Sequence, residues 1–458
     1  MPIERSEQLT TISFSDFTGG MNTAQPGSQI AENEAQLIEN YEYDYNRLRT
    51  RGGLSAPLIT LEGDEIESFF YDQMTNGYLI FGKTPEVEKQ TAKIYFADIT
   101  SGVKDVGTLT GRSRPVCCKF GGDIFIASGG KLQVYDFETL KIIDGSYLCD
   151  NVFERYGKLV TTMAGDDNLR YSSVGDAKSE EAWVEKVKDD SSAKWLEVGY
   201  KDDGDIITCL PMANDIIVFK DNGMIYSVSG EYPAWNVSLL GQKSDAERVR
   251  QSIVTVGSSI AFITKAGIRS LDAVQVYGNF QINEIGYKIN KAIAADVHTP
   301  LCWNLIRKRQ LVISPNIESR NKLFVYQYNM TAGYVLTFPE PILDMADTTD
   351  GVVLAIGNRL HRWSFEFDTD NGLPIETKVM TRQVLTGNNI ITRRFDVFVE
   401  SNKEGNLEID LLGKTVKYSV QDKRRIKHFY SQSRGFELCI RCDTPHILNY
   451  LRLYAMEV

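Results

Sequence analysis

The sequence predicts an all-β fold: a β-propeller of about seven irregular blades, with an N-terminal extended and helical arm before it and a C-terminal β-sandwich after it. Three observations carry that expectation. From about Glu65 the chain breaks into short apolar or alternating runs separated by Gly, Asn and Asp, the pattern of many short antiparallel strands. Those runs recur as similar units. Near Pro374 the pattern changes again.

Residues 1–64 differ in character from the rest and are read as a docking or oligomerisation arm. Ser13-Phe14-Ser15-Asp16-Phe17-Thr18 is extended and ends in a turn at Gly19-Gly20-Met21-Asn22. Residues 28–41 read as the best helix in the chain, with Ser28 as N-cap. Ile30, Leu37, Ile38 and Tyr41 would fall near one face, and Glu32 and Glu34 toward the positive end of the dipole. Tyr41-Glu42-Tyr43-Asp44-Tyr45 then alternates like a strand, before Arg47, Arg49, Arg51 and Gly52-Gly53.

Residues 65–374 hold the repeating units, which begin near Ser68, Val116, Phe153, Ile207, Ile253, Leu301 and Leu343. Each runs as an apolar strand, a turn, a buried strand, a turn and a strand with an aromatic. Their spacing of roughly 35–50 residues suits a four-stranded propeller blade. Asn76-Gly77, Asn222-Gly223 and Asp350-Gly351 supply hairpin chemistry, because these residues tolerate positive φ. An irregular sandwich array is the competing architecture, since the units share a pattern but no signature such as Trp-Asp. In residues 375–458, runs at 376–385, 392–400, 407–412, 416–420, 427–431, 436–441 and 448–456 read as a small β-sandwich, or as strands that close the propeller.

Composition narrows the function classes. With 42% hydrophobic and 24% charged residues, the chain is folded rather than disordered, and 458 residues can bury a core without disulfides or metal. A net charge of −11 argues against coating nucleic acid by bulk attraction. The longest uncharged, mostly apolar run, 252–264, falls short of the ~18 residues needed to cross a bilayer. Met1-Pro2-Ile3-Glu4-Arg5 leads into polar sequence with no apolar export segment, so assembly in the cytoplasm is expected. Seven cysteines, an odd number with Cys117 and Cys118 adjacent, disfavour a disulfide framework and read as small buried apolar residues.

The catalytic and metal motifs are weak. Cys439-Ile440-Arg441-Cys442, near His446, has metal or redox spacing, but its strand-like alternation sends the two sulfurs to opposite faces. Gly413-Lys414-Thr415 mimics the end of a phosphate loop in a strand-turn-strand context, and reads as a hairpin turn. Carboxylate pairs such as Asp166-Asp167 and Asp202-Asp203-Gly204-Asp205 sit among turn formers and read as solvated turns. The four histidines are isolated in sequence. No catalytic residue, metal ligand or cofactor is assigned, and the chain is expected not to be an enzyme. Basic clusters at Arg307-Lys308-Arg309 and Lys423-Arg424-Arg425 are candidates for contact with DNA or an acidic partner.

Phe17-Thr18-Gly19-Gly20-Met21-Asn22, followed by Ile30-Ala31-Glu32-Asn33-Glu34-Ala35, Glu39-Asn40 and Arg51-Gly52-Gly53, resembles the amino terminus of a broad group of bacteriophage virion proteins. Ser433-Arg434-Gly435-Phe436-Glu437-Leu438 and residues 447–454 are similar to the last strands of such proteins. That group includes the tail hub, nozzle and packaged-DNA stabilisation proteins of short-tailed phages. The resemblance implies a structural virion protein in a ring of identical copies, such hubs being hexameric. The ring would continue the DNA channel below the portal and adaptor, retain the genome, take part in ejection and meet a fibre or needle. On that reading Phe14, Phe17, Met21, Leu37 and Tyr41 are apolar anchors on a neighbouring subunit, with Gly19, Gly20 and Arg51 in the same interface. Acidic channel residues would let double-stranded DNA slide.

Two other readings stand beside it. One is a glycan-binding or glycan-degrading propeller of the phage–host interface. Sialidase-type Ser-x-Asp-x-Gly-x-Thr-Trp turns are absent, and Trp183, Trp195, Trp235, Trp303 and Trp363 are dispersed through the propeller region. The other is a cytoplasmic scaffold propeller, against which only the leader argues.

Overall fold

The computed structural model describes residues 10–83, 92–98, 102–240, 245–247, 249–274, 279–411, 413–421 and 424–457. Each of the seven predicted units opens a blade. The first strands are Glu65–Asp72, Val116–Phe120, Asn151–Arg155, Ile206–Met212, Ile253–Val256, Leu301–Leu305 and Ile342–Thr348. Within each blade consecutive strands pair antiparallel in sequence order, and the first strands sit innermost. Buried clusters fill the seams between blades: Leu79, Phe81, Ile124 and Ile126 between the first and second, for example, and Phe219, Ile225, Ile260 and Phe262 between the fourth and fifth. Such seams make an all-β ring stable without exposing long sheet edges.

The ring is closed by the N-terminal region. Gly53–Leu54 and Ile59–Thr60 pair with Arg359–Ser364, the third strand of the seventh blade, and complete it from outside. Gly53 fits only because it lacks a side chain, since a Cβ there would run into the carbonyl oxygen of Thr369.

The C-terminal region forms a β-sandwich that also takes in N-terminal strands. One sheet orders Tyr41–Asp44, Arg47–Thr50, Ile447–Glu457, Val384–Glu400 and Arg424–Phe436, with Thr10–Phe14 also on Ile447–Glu457. The facing sheet runs from Lys414–Ser419 through Asn406–Leu411, Leu438–Cys442 and Thr377–Thr381 to Glu34–Glu39. There it continues through Ala332–Thr337 into the sixth blade. Propeller and sandwich therefore share one ten-stranded sheet and one core, in which Phe14, Tyr41, Val397, Ile409 and Leu453 join Tyr334 and Trp363.

Two expectations are corrected here. Residues 28–41 are not a helix: Glu34–Glu39 is a strand, parallel to Ala332–Thr337 and antiparallel to Thr377–Thr381. Leu37 packs into the cluster between the fifth and sixth blades, whereas Ile38 enters the shared core. Neighbouring residues facing opposite cores is what a strand permits, and this long-range pairing overrides a local helix preference. Nor do residues 10–64 form a separate arm, because their strands belong to the sandwich and the seventh blade. The α-helix among the described residues is Tyr287–Ala294, between the fifth and sixth blades. It buries Ile289 and Ile293, one turn apart, against a cluster with Ile268, Ile313 and Val335, and Gly333 leaves room for Ile289.

Candidate functional site

The residues singled out in the leader turn out to stitch the chain to itself. Phe14, Phe17, Met21 and Tyr41 are buried in intrachain cores, and Leu37 is half-buried against one. Gly19 abuts Asn33 and Glu34, and Gly20 adopts φ +79° against Ala332 and Gly333. Arg51, 1% exposed at its side chain, spends all five of its N–H donors. Nε donates to Asn40, one terminal nitrogen to the Gly52 carbonyl and Asp370, and the other to the Thr337 carbonyl and Asp370, at 2.6–3.0 Å. Its guanidinium also lies 4.2 Å from the Phe338 ring centroid. These side chains are spent within the subunit, which corrects the expectation that they anchor a neighbouring one.

The basic clusters also separate. Arg307 is exposed and donates to the Thr349 carbonyl, and Arg309 occupies a turn at φ +55°. Lys308 turns inward, 2.9 Å from Glu42 and 3.4 Å over the Trp363 ring, and burial lowers its pKa. It is a structural contact rather than a surface cation. Lys423 lies outside the described residues, and so do the side chains of Arg424 and Arg425, which open the strand Arg424–Phe436.

The Cys-x-x-Cys pair does split across its strand, with Cys442 facing the core and Cys439 the other side. No group of three or more potential metal ligands converges among the described residues. Gly413 forms the turn between Asn406–Leu411 and Lys414–Ser419, at φ +75°. Among the described residues no helix is long and apolar enough to cross a membrane.

Two cavities in the propeller offer more. One of about 470 Å³ opens beside the axis, on the face that carries the loops entering each blade. Its charges compensate one another. Arg114 pairs with Asp344 at 2.9 Å, and Arg250 faces Asp150 at 3.9 Å while donating to the Arg114 carbonyl. Burial pushes Asp150 up and Arg250 down from their ordinary pKa values.

The other cavity, of about 260 Å³, lies between the third and fourth blades on the opposite face. The third blade contributes Tyr171, at the end of Asn168–Tyr171, and Arg155, Tyr156 and Lys158 around the first hairpin. The fourth contributes Tyr232 and Trp235, from the loop between Ile225–Ser229 and Asn236–Leu239. Trp235 stacks on buried Tyr171 at 5.2 Å and 29°, and Tyr232 meets Trp235 edge-on at 5.4 Å. Trp235 and Tyr232 are half-buried and form one aromatic wall of the cavity, with the Lys194 ammonium 4.5 Å from the Tyr232 ring centroid.

Across from that wall stand two cations. Arg155 lies 4.4 Å over the ring of Tyr156, which is 40% exposed, and donates to the Ala213 carbonyl and the Tyr156 hydroxyl. Its Nε is buried without a hydrogen-bond partner. Lys158 donates to the carbonyls of Asp190 and Ser192, and burial together with the charge of Lys194 lowers its pKa. Asp190 and Glu231 complete the rim, exposed. Aromatic faces pack against the apolar C–H face of a saturated ring, and the polar groups beside them fix its substituents. Sequence reasoning noted Trp235 only as one of several dispersed tryptophans. The missed signal was aromatic residues where turn formers belong, at Tyr156-Gly157 and Tyr232-Pro233-Ala234-Trp235.

No protein-family model and no curated protein matches the chain. Among solved structures, it is similar to the extracellular domain of BT4673 from B. thetaiotaomicron, with a TM-score of 0.45 and 12% identity over 92% of this chain. The chain spans 63% of that one. It is also similar to the Cps50 (Swd1) β-propeller domain from Myceliophteria thermophila, with a TM-score of 0.44 and 8% identity over 67% of this chain and 98% of that one. A third is YCF48 from Cyanidioschyzon merolae, at 0.44 and 5% over 67% and 97%. The propeller assignment here rests on the strand pairing described above.

Proposed function

We propose that this β-propeller is a glycan-binding protein that holds a sugar ring in the cavity between its third and fourth blades. The observation that carries this reading is the Trp235–Tyr232 wall beside hydrogen-bonding side chains in a cavity of about 260 Å³, room for about one sugar ring and just under the usual range of ligand sites, roughly 300 Å³ and upward. An aromatic cage for an organic cation is disfavoured by Arg155 and Lys158 in the same lining. The leader's likeness to phage virion proteins suggests a virion–host interface as the setting.

Screening the purified protein against an oligosaccharide array, beside the Trp235→Ala variant, tests this. Saturable binding by the wild type that is weakened roughly tenfold or more in the variant supports the reading. Absence of binding to every sugar, or equal binding by both proteins, overturns it.

A second reading, a subunit of a phage tail ring, is favoured by exposed apolar side chains on the outer strands of three consecutive blades: Ile143 and Leu148, Trp195, and Leu239. A ring would cover them with neighbouring copies. Mass measurement of the purified protein, alone and with portal and adaptor, tests it. A ring or a complex with those partners supports this reading, and a persistent monomer that ignores them removes it.

A further inference from the structure

The half-buried cations of the inter-blade cavity differ from several buried or half-buried cations elsewhere in the propeller and its closure. Arg51 is neutralised by Asp370, Lys308 by Glu42, Arg114 by Asp344, and Lys220 by Asp202 at 2.7 Å. Arg155 and Lys158 have no carboxylate within ion-pair distance among the described residues. Their hydrogen bonds go to carbonyl and hydroxyl oxygens, which accept protons but carry no compensating charge. Arg155 and Lys158 are half-buried, so each is partly withdrawn from water without an ion-pair partner, at a cost that grows with the depth of burial. In a chain of net charge −11, two unpaired cations beside an aromatic wall stand out as a place left for an anion.

Resting on the glycan-binding reading, we infer that the sugar held between the third and fourth blades is acidic, and that its carboxylate is taken by Arg155 and Lys158 while its ring lies against Trp235 and Tyr232. The side-chain chemistry fits both parts. A guanidinium and an ammonium give charge-assisted hydrogen bonds to a carboxylate, and these are shorter and stronger than bonds to a neutral hydroxyl. The lowered pKa of Lys158, caused by burial and by the charge of Lys194 and only partly offset by Asp189, Glu231 and Asp190, is what an anion at this point would relieve. Asp190 and Glu231 lie on the exposed rim, where water and salt screen them more than they screen charges inside the cavity. They would meet the hydroxyls of the same sugar or of the next one.

The test is a set of matched probes that differ only in the acid group: sialyllactose against lactose, and cellobiouronic acid against cellobiose. Binding to the full chain is followed by calorimetry at low and at physiological salt. The acidic member of at least one pair is expected to bind about tenfold or more tightly, with affinity falling as salt rises. Lys158→Gln and, separately, Arg155→Gln should weaken binding of the acidic member more than binding of its neutral counterpart, so that the preference between them shrinks toward one. Because Lys158 also holds the carbonyls of Asp190 and Ser192, the salt titration of the wild type stands as a readout that needs no variant. Equal affinity for acidic and neutral members overturns the inference and leaves the glycan-binding reading standing. A wild type that binds none of the probes or array sugars overturns both.

Discussion

Two arginines over aromatic rings invite comparison: Arg51 on Phe338, where the termini are sewn into the ring, and Arg155 on Tyr156, between the third and fourth blades. Their stacking distances are nearly the same, 4.2 and 4.4 Å. The surroundings differ. Arg51 has every donor satisfied and a carboxylate in bidentate contact, so nothing remains for an outside ligand. Arg155 places its two hydrogen bonds on one terminal nitrogen, has no carboxylate within ion-pair distance among the described residues, and shares its cavity with an aromatic wall. A motif saturated from within the chain holds the fold, and one left unsaturated beside a cavity is available for binding.

Breaking the saturated site should have the largest effect. Arg51→Ala leaves Asp370 buried and unpaired, and is expected to cost about 3–5 kcal/mol of stability in chemical denaturation. A loss below about 1 kcal/mol would mean the suture is not what closes the ring. The His446 contact nearby makes a pH-dependent prediction. Its Nδ1 lies 2.7 Å from the Thr444 carbonyl, which only accepts, so Nδ1 carries the proton and Nε2 accepts from the Tyr41 hydroxyl at 2.8 Å. Burial pushes its pKa from 6.5 down to about 4, so the unfolded chain binds the proton more readily than the folded one. The neutral ring therefore contributes stability that is fully present above pH 6.5 and is lost as pH falls toward about 4. That loss should reach about 3 kcal/mol, and His446→Gln, which can donate and accept at the same places, should flatten this part of the profile. A wild-type profile flat from pH 7 to 4 would contradict the assignment. Gly20→Ala, at φ +79° against Ala332, should cost about 1–3 kcal/mol, measured as a lowered Tm. At the unsaturated site the effect on stability should be smallest, with Arg155→Gln within about 1 kcal/mol of the wild type and its consequence seen in binding instead.

The same contrast explains what was legible in the sequence. The blade-opening strands were readable because each blade is local: Ile216-Ile217-Val218-Phe219 and Met224-Ile225-Tyr226 face each other across Asn222-Gly223, and alternation with turn chemistry suffices to find such a hairpin. Glu34–Glu39 was misread because its partners, Ala332–Thr337 and Thr377–Thr381, lie some three hundred positions away, and nothing local distinguishes their pull from helix periodicity. Arg51 announced a basic residue but not Asp370, 319 positions on. The cavity was hidden for the same reason, since its walls come from loops of two blades and each loop alone looks like an ordinary turn. Likeness in the leader, at Gly20, Asn22, Glu34 and Arg51, falls on residues that stitch the fold, so it speaks to architecture more directly than to ligand.

Fluorescence titration of the wild type and Trp235→Ala with sialyllactose and cellobiouronic acid, beside their thermal melts, tests the central claim most directly. The account predicts a saturable change in the wild type with at least one of these acids, absent in the variant, while the variant's cooperative melt persists. Unchanged binding in Trp235→Ala would contradict it, because the cavity between the third and fourth blades would then not be where the ligand sits.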